Sequence, residues 1–185
     1  MRWFAVWLDS HAWSTALHES LHMYPIVEST HVLSLMVFVG TLFIVDFRLL
    51  GIAFKNVPIS ELTSRILPWT TFGFVVIVST GLMLFYAIPI RTYHSIWFRF
   101  KVVLIVASGI NAWLFHRKMT KKPVVWNNDP VPPLHVRLSA AISVLVWSGV
   151  IICGRMIAYN WFDCDKQQPG WVQFLAECRA EDLIH

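Results

Sequence analysis

Charged residues are scarce in this chain. Its 185 residues include 15 lysines and arginines and 11 aspartates and glutamates, so only 14% are charged, whereas a soluble domain carries about 25%. Hydrophobic residues make up 56% of the sequence. Such a composition excludes an ordinary soluble enzyme, a disordered chain and a nucleic-acid binder. It predicts an integral membrane protein.

Charges are absent from long stretches and cluster between them. A bilayer core of about 30 Å requires about 20 apolar residues per helix. Four segments meet this requirement, at about residues 24–50, 67–90, 96–116 and 134–160. Prolines, including Pro68, lie at or outside the ends of these segments and support the boundaries. We therefore predict an all-α membrane protein whose four transmembrane helices form an up-down bundle.

The two ends of the chain flank this domain, which covers residues 24–160. Tryptophans in residues 1–23 predict an N-terminal amphipathic helix lying in the membrane interface. Residues 161–185 predict an extramembrane tail with a short helix around Trp171. Cys164 and Cys178 lie in this tail, where a disulfide and two free thiols are both compatible with the spacing.

Four spans place both termini on one side of the membrane, which we call side A; the opposite side is side B. The loops of side B hold seven basic residues: Arg48, Lys55, Arg65, Arg117, Lys118, Lys121 and Lys122. The loop of side A holds Arg91 alone, with Arg99 and Lys101 just inside the next span, where their stems can snorkel to the interface. By the positive-inside rule, side B is cytoplasmic. Both termini are then predicted to be periplasmic, in a bacterial inner membrane.

The sequence lacks the motifs of a self-sufficient enzyme, whereas histidine is abundant. The sequence has no dinucleotide-binding fingerprint, phosphate loop or nucleophile arrangement, and no Cys-x-x-Cys-His for covalent haem attachment. Any substrate chemistry therefore belongs to a partner subunit. The eight histidines are His11, His18, His22, His31, His94, His116, His135 and His185.

Four of these histidines fall in or beside the predicted spans. Helix direction places His31 and His94 near side A and His116 and His135 near side B, about 20 Å apart at 1.5 Å per residue. An ionisable group inside a span is a functional candidate, and paired imidazoles in a helical bundle can ligate haem iron. The pattern predicts two bis-histidine b-type haems. His22 is an alternative to His94 at the side A site.

Residues around these histidines allow two interpretations. Four arginines near span ends could pair with haem propionates or snorkel to lipid headgroups: Arg48, Arg99, Arg137 and Arg155. Gly73 and Gly81 share one face of the second span, and they could make room for a porphyrin or for close helix packing.

Four runs of the sequence carry a family resemblance. They are Tyr24 to Gly51, Leu67 to Phe85, Arg99 to Arg117 and Trp147 to Tyr159. Together they resemble a family of small bacterial four-helix membrane proteins, similar in plan to the CopD-like copper-resistance proteins and to cytochrome b-type membrane subunits. The resemblance implies the fold and no particular activity. His31 and His116 lie within these runs.

The histidine pattern predicts a b-type cytochrome that transfers electrons between quinone and a periplasmic or membrane redox partner. Glu28 and His31, three residues apart, could take protons from a quinol. One alternative is a copper-handling protein, because methionine and imidazole suit copper. Another is a cofactor-free membrane anchor of a larger complex.

Overall fold

The computed structural model describes residues 2–119, 126–159, 162, 164 and 167–178. These residues form helices and no strand. The helices are α1 (Arg2–Asp9), α2 (Ala12–Glu19), α3 (Met23–Leu50), α4 (Ile59–Ala87), α5 (Pro89–His94), α6 (Ile96–Met119), α7 (Leu134–Ala158) and α8 (Gly170–Ala176). Lys121, Lys122 and His185, which entered the sequence predictions, lie outside the described residues.

Four of the helices are long and apolar enough to cross a membrane: α3, α4, residues 96–117 of α6, and α7. Helix α3 packs along α4, α6 packs along α7, and contacts between α3 and α7 join the two pairs. Most large apolar side chains of these helices face outward, which suits a protein surrounded by lipid. The chain is thus a multi-pass membrane protein, and the predicted all-α four-helix bundle is confirmed.

Helix α4 differs from its predicted span at the side B end. It begins at Ile59 rather than near Leu67, and Pro68 lies inside it instead of marking its start. The extra turns are polar, and Arg65 pairs with Glu61 at 2.8 Å on their exposed face. Hydropathy detects the part of a helix that meets hydrocarbon, so it missed these polar turns.

The side B end of the bundle is closed by apolar packing. Leu49, Ile59, Val136 and Ala140 form a buried cluster there. Helix α3 ends at Gly51, whose φ of +73° is a left-handed conformation that favours glycine.

Both described ends of the chain pack at side A, as the span count predicts. The N-terminal segment forms two short helices, α1 and α2, where one was predicted. Their tryptophans are exposed, and the buried Ser14 hydroxyl donates a 2.7 Å hydrogen bond to the Tyr86 carbonyl at the end of α4. In the tail, α8 forms as predicted, and Cys164 and Cys178 are joined by a disulfide.

Candidate functional site

A cavity of about 320 Å³ opens among the helices at side A. Its wall combines apolar side chains with titratable ones, and the titratable side chains are Tyr24, Glu28, His31, Arg91 and Lys101. Phe85 and Phe98 stack at a 5.4 Å centroid distance and line the cavity between α4 and α6. Such a wall suits an amphiphilic molecule with an apolar body and polar or charged groups.

His31 is held in this wall by α4. Its Nδ1 lies 2.9 Å from the Thr80 hydroxyl, and that hydroxyl donates its own proton to the Val76 carbonyl at 2.7 Å. The Ile77 carbonyl is a second acceptor near the ring. With the Thr80 proton directed to the Val76 carbonyl, Nδ1 is the donor in the contact with Thr80. In a neutral imidazole, Nε2 then carries the lone pair that could bind a metal ion or accept a proton.

Gly81 provides the space that the imidazole occupies. A Cβ atom built on Gly81 would lie 3.2 Å from Cε1 of His31, closer than an ordinary van der Waals contact. Gly73, on the same helix, serves packing instead, since its Cβ would lie 2.9 Å from the backbone nitrogen of Phe38. Of the two roles considered for these glycines, Gly73 therefore has the packing role, while Gly81 makes room for His31.

Lys101 lines the same cavity as His31. Its side chain does not simply snorkel as expected: it lines the cavity, and Nζ lies 3.6 Å from a Cβ built on Gly154 of α7. No carboxylate of the described residues forms an ion pair with it, although Glu28 lines the same cavity. A cation five residues inside an apolar helix was the sequence signal for this role. The sequence could not show that the Lys101 side chain points into the cavity.

His94 lies at side A but outside the wall of this cavity. It is 4% exposed, and its Nδ1 is 2.9 Å from the Ala176 carbonyl of α8. Arg99 donates to the Leu175 carbonyl at 2.6 Å and lies 3.7 Å from the Glu177 carboxylate. Both residues therefore hold the tail helix against the bundle.

Tyr93 and Glu177 add a hydrogen bond to this contact. The Tyr93 hydroxyl donates to Glu177 Oε2 at 2.6 Å. This bond lowers the pKa of the Glu177 carboxyl and raises the pKa of the Tyr93 hydroxyl, because it stabilises the ionised carboxylate and the protonated phenol.

The two histidines predicted for side B do not line the same cavity. His116 is exposed on α6. His135 lines a second cavity, of about 270 Å³, together with Asn111 and Ser139. The predicted pairs are thus not brought into a common cavity. Within the described parts of the chain, no group of three or more His, Cys, Asp or Glu could hold a metal ion.

The predicted propionate-binding arginines also lie away from the His31 cavity. Arg48 is 1% exposed at side B and donates to the Val57 carbonyl at 2.8 Å and the Asp129 carbonyl at 3.0 Å. Arg137 is exposed at the start of α7. Arg155 donates to the Tyr159 hydroxyl at 3.1 Å. The basic residues that do line the cavity are Arg91 and Lys101.

Comparison with known proteins identifies a family and no activity. No curated protein and no solved structure matches the chain. A profile described as "Family of unknown function (DUF6644)" matches residues 22–160, which include all four spans. The chain belongs to this family.

Proposed function

We propose that the chain is a membrane electron-transfer protein of the b-type cytochrome class, with haem b held in the side A cavity by His31. One observation carries the proposal: Thr80 fixes the His31 ring through Nδ1 at the wall of an interior cavity. A hydrogen bond to one ring nitrogen is the usual way in which a protein orients an imidazole ligand.

The other residues of the cavity suit a flat amphiphilic macrocycle. Leu84, Phe85 and Phe98 supply apolar walls and exclude water from the space beside His31. Lys101 and Arg91 supply positive charge where propionates would need it. When bound, haem b would supply a one-electron carrier. The chain's own contribution is to orient the imidazole and to balance negative charge.

The proposed site uses one of the four predicted histidine ligands. The wall of the side A cavity contains His31 and not His94, whose Nδ1 lies 2.9 Å from the Ala176 carbonyl of α8, so we assign His94 to the tail contact. A second haem on His116 and His135 is left out of this proposal, because His116 is exposed and His135 lines a separate cavity. We expect one haem per chain, with His31 as its histidine ligand.

Quinone is the proposed electron-exchange partner at side A, together with a periplasmic or membrane redox partner. Glu28 lies in the same cavity wall as His31 and could take a proton as a quinol is oxidised. We also propose that the protein lies in a bacterial inner membrane with both termini in the periplasm. The disulfide in the tail supports this orientation, because disulfides persist in oxidising compartments.

Haem content tests the proposal. The chain is purified in detergent, and protohaem is measured by the pyridine haemochrome method for the wild type, for His31→Ala and for the control His11→Ala. We expect about one haem per chain in the wild type and the control, and a loss of at least about tenfold in His31→Ala, because His31 would supply the protein ligand to the iron. Gel filtration checks that each variant is folded.

Two outcomes would overturn the proposal. One is a folded wild-type protein that contains no protohaem when expressed with ample haem; bound copper in that sample would favour the copper-handling alternative. The other is a His31→Ala variant that keeps its full haem content. A loss of haem in His94→Ala, without detachment of α8, would restore the bis-histidine prediction.

A further inference from the structure

A second ionisable group lies inside the bundle, far from His31. Asp46 of α3 is 4% exposed, and it lies one turn before the helix end at Leu50. Its Oδ2 is buried and has no hydrogen-bond partner among the described residues. A carboxylate buried in this way is expensive inside a membrane and indicates a function.

No cation of the described residues compensates this carboxylate. Arg48, two residues along the chain, turns to the Val57 and Asp129 carbonyls instead. Ser143 of α7 is the polar side chain that faces Asp46. Within the described chain, α4 and α6 present no acidic or basic side chain within ion-pair distance of it, and toward side B the ionisable residues of α7 are Arg137 and His135, about two turns from Ser143.

Polar side chains on α7 connect Asp46 with side B. His135, Ser139 and Ser143 are spaced by four residues, so they share one face of the helix over about 12 Å. The Ser139 hydroxyl donates to Asn111 of α6 at 3.0 Å. Asn111, His135 and Ser139 line the 270 Å³ cavity together with four apolar side chains, and the cavity is large enough to hold water beside these three polar groups.

Aromatic packing separates this polar face from the side A cavity. One turn beyond Ser143, Trp147 packs edge-on against Phe38 at a 4.8 Å centroid distance, and Phe38 also contacts Phe74 of α4. The polar face therefore leads from side B to Asp46 and stops there.

We propose that Asp46 is a proton-binding site, loaded from side B along the His135–Ser139–Ser143 face of α7. A proton delivered through water and these side chains adds to the Asp46 carboxylate, and the neutral acid replaces an uncompensated buried charge. The site is independent of the proposed haem, since nothing in its construction uses the side A cavity.

Infrared spectroscopy of the detergent-purified chain at pH 7 tests this proposal. An aspartate in water is ionised at that pH, so a carboxylic-acid C=O band identifies a protonated buried group. We expect this band in the wild type and in the control Asp9→Asn, whose substituted residue is exposed. Asp46→Asn should lack the band. Ser143→Ala should retain it at a shifted frequency, which keeps the test valid if Asp46→Asn does not fold.

The route is tested by transfer into D₂O. We expect His135→Ala to slow the deuterium shift of the Asp46 band several-fold, while His11→Ala, at side A, should leave the rate unchanged. The proposal is overturned if the wild type has no carboxylic-acid band at pH 7, or if Asp46→Asn and Ser143→Ala both leave the band unaltered. Equal slowing by His11→Ala would overturn the assignment of the route to side B.

Discussion

Each end of the bundle contains a basic side chain, and the two side chains have different partners. At side B, Arg48 is 1% exposed, and two loop carbonyls accept its hydrogen bonds within an apolar cap. At side A, Lys101 lines an open cavity, and no carboxylate of the described residues pairs with it. Both residues were expected to be near span ends, and the sequence does not distinguish them.

The difference assigns the two ends different tasks. A cation that donates to the chain's own loop carbonyls holds those loops in place, as Arg48 does through Nε and Nη2, while its buried Nη1 has no partner among the described residues. A cation without an internal partner is available to an anionic group of a ligand. Side B is therefore the structural end, where Asp46 is the exception, and side A is the end that we propose binds a ligand.

The largest effect on stability is expected from Arg48→Met. The substitution leaves the Val57 and Asp129 carbonyls without their donor, and a hydrogen bond from a charged group contributes about 1.5–3 kcal/mol. We expect the free energy of unfolding to fall by about 3 kcal/mol, measured by thermal or denaturant unfolding in detergent. The haem content of the protein that remains folded should not change.

Arg137→Met provides the matched control for this variant. Arg137 is exposed on α7, so its substitution should alter stability by less than about 0.5 kcal/mol. If Arg48→Met and Arg137→Met lower the free energy of unfolding equally, the burial of Arg48 does not add to its contribution to stability. If Arg48→Met instead loses haem while its stability is unchanged, the division between the two ends is wrong.

A substitution at side A should lower the haem affinity and leave the stability nearly unchanged. The Cβ of Gly81→Ala would press on the His31 ring, 3.2 Å from Cε1, and crowding of this kind costs about 1–3 kcal/mol. We expect haem affinity to fall about tenfold with little change in stability, because the ring can swing into the cavity. Competition for haem with apomyoglobin measures the affinity.

Gly40→Ala is the control for that substitution, because a Cβ at Gly40 meets no atom within 4 Å. Its haem affinity should equal that of the wild type. Equal affinities for all three proteins would contradict the assignment of His31 as the ligand.

The spans were predictable because each depends on local composition. About 20 apolar residues are needed for each crossing, and α3 and α7 begin and end close to their predicted limits. The polar first turns of α4 were not predictable from hydropathy, because hydropathy detects only the apolar part of a helix.

Only part of the candidate site could be predicted. His31 was found because an imidazole within an apolar run is conspicuous. Thr80, Gly81 and Lys101 join it through contacts between different helices, and sequence spacing within one helix carries no such information. Helix direction gave His94 the correct side of the membrane. It could not reveal that the ring turns toward α8.

The smallest effect is expected where the tail meets the bundle. Because the hydrogen bond from Tyr93 lowers the Glu177 pKa below its ordinary 4.5, its stabilisation is complete above that pH and is lost as the pH falls through the lowered value. The Tyr93 pKa is raised above its ordinary 10.0, so its contribution is complete below pH 10 and is lost at higher pH. Glu177 is exposed and Tyr93 is partly exposed, and solvent screening limits the contribution to less than about 1 kcal/mol.

Emission of Trp171 reports the docking of α8, when isolated by subtracting the spectrum of Trp171→Phe. Acidification from pH 7 should change this emission below about pH 4.5 in the wild type, in line with the Glu177 carboxyl. Glu177→Gln should remove the transition, and Glu19→Gln, an exposed substitution at the end of α2, should preserve it. Haem content at pH 7 should be the same in Glu177→Gln and in the wild type, because none of the described tail residues lines the His31 cavity. If Glu177→Gln loses haem at pH 7, the tail is part of the binding site, and the assignment of His94 to the tail contact alone is wrong.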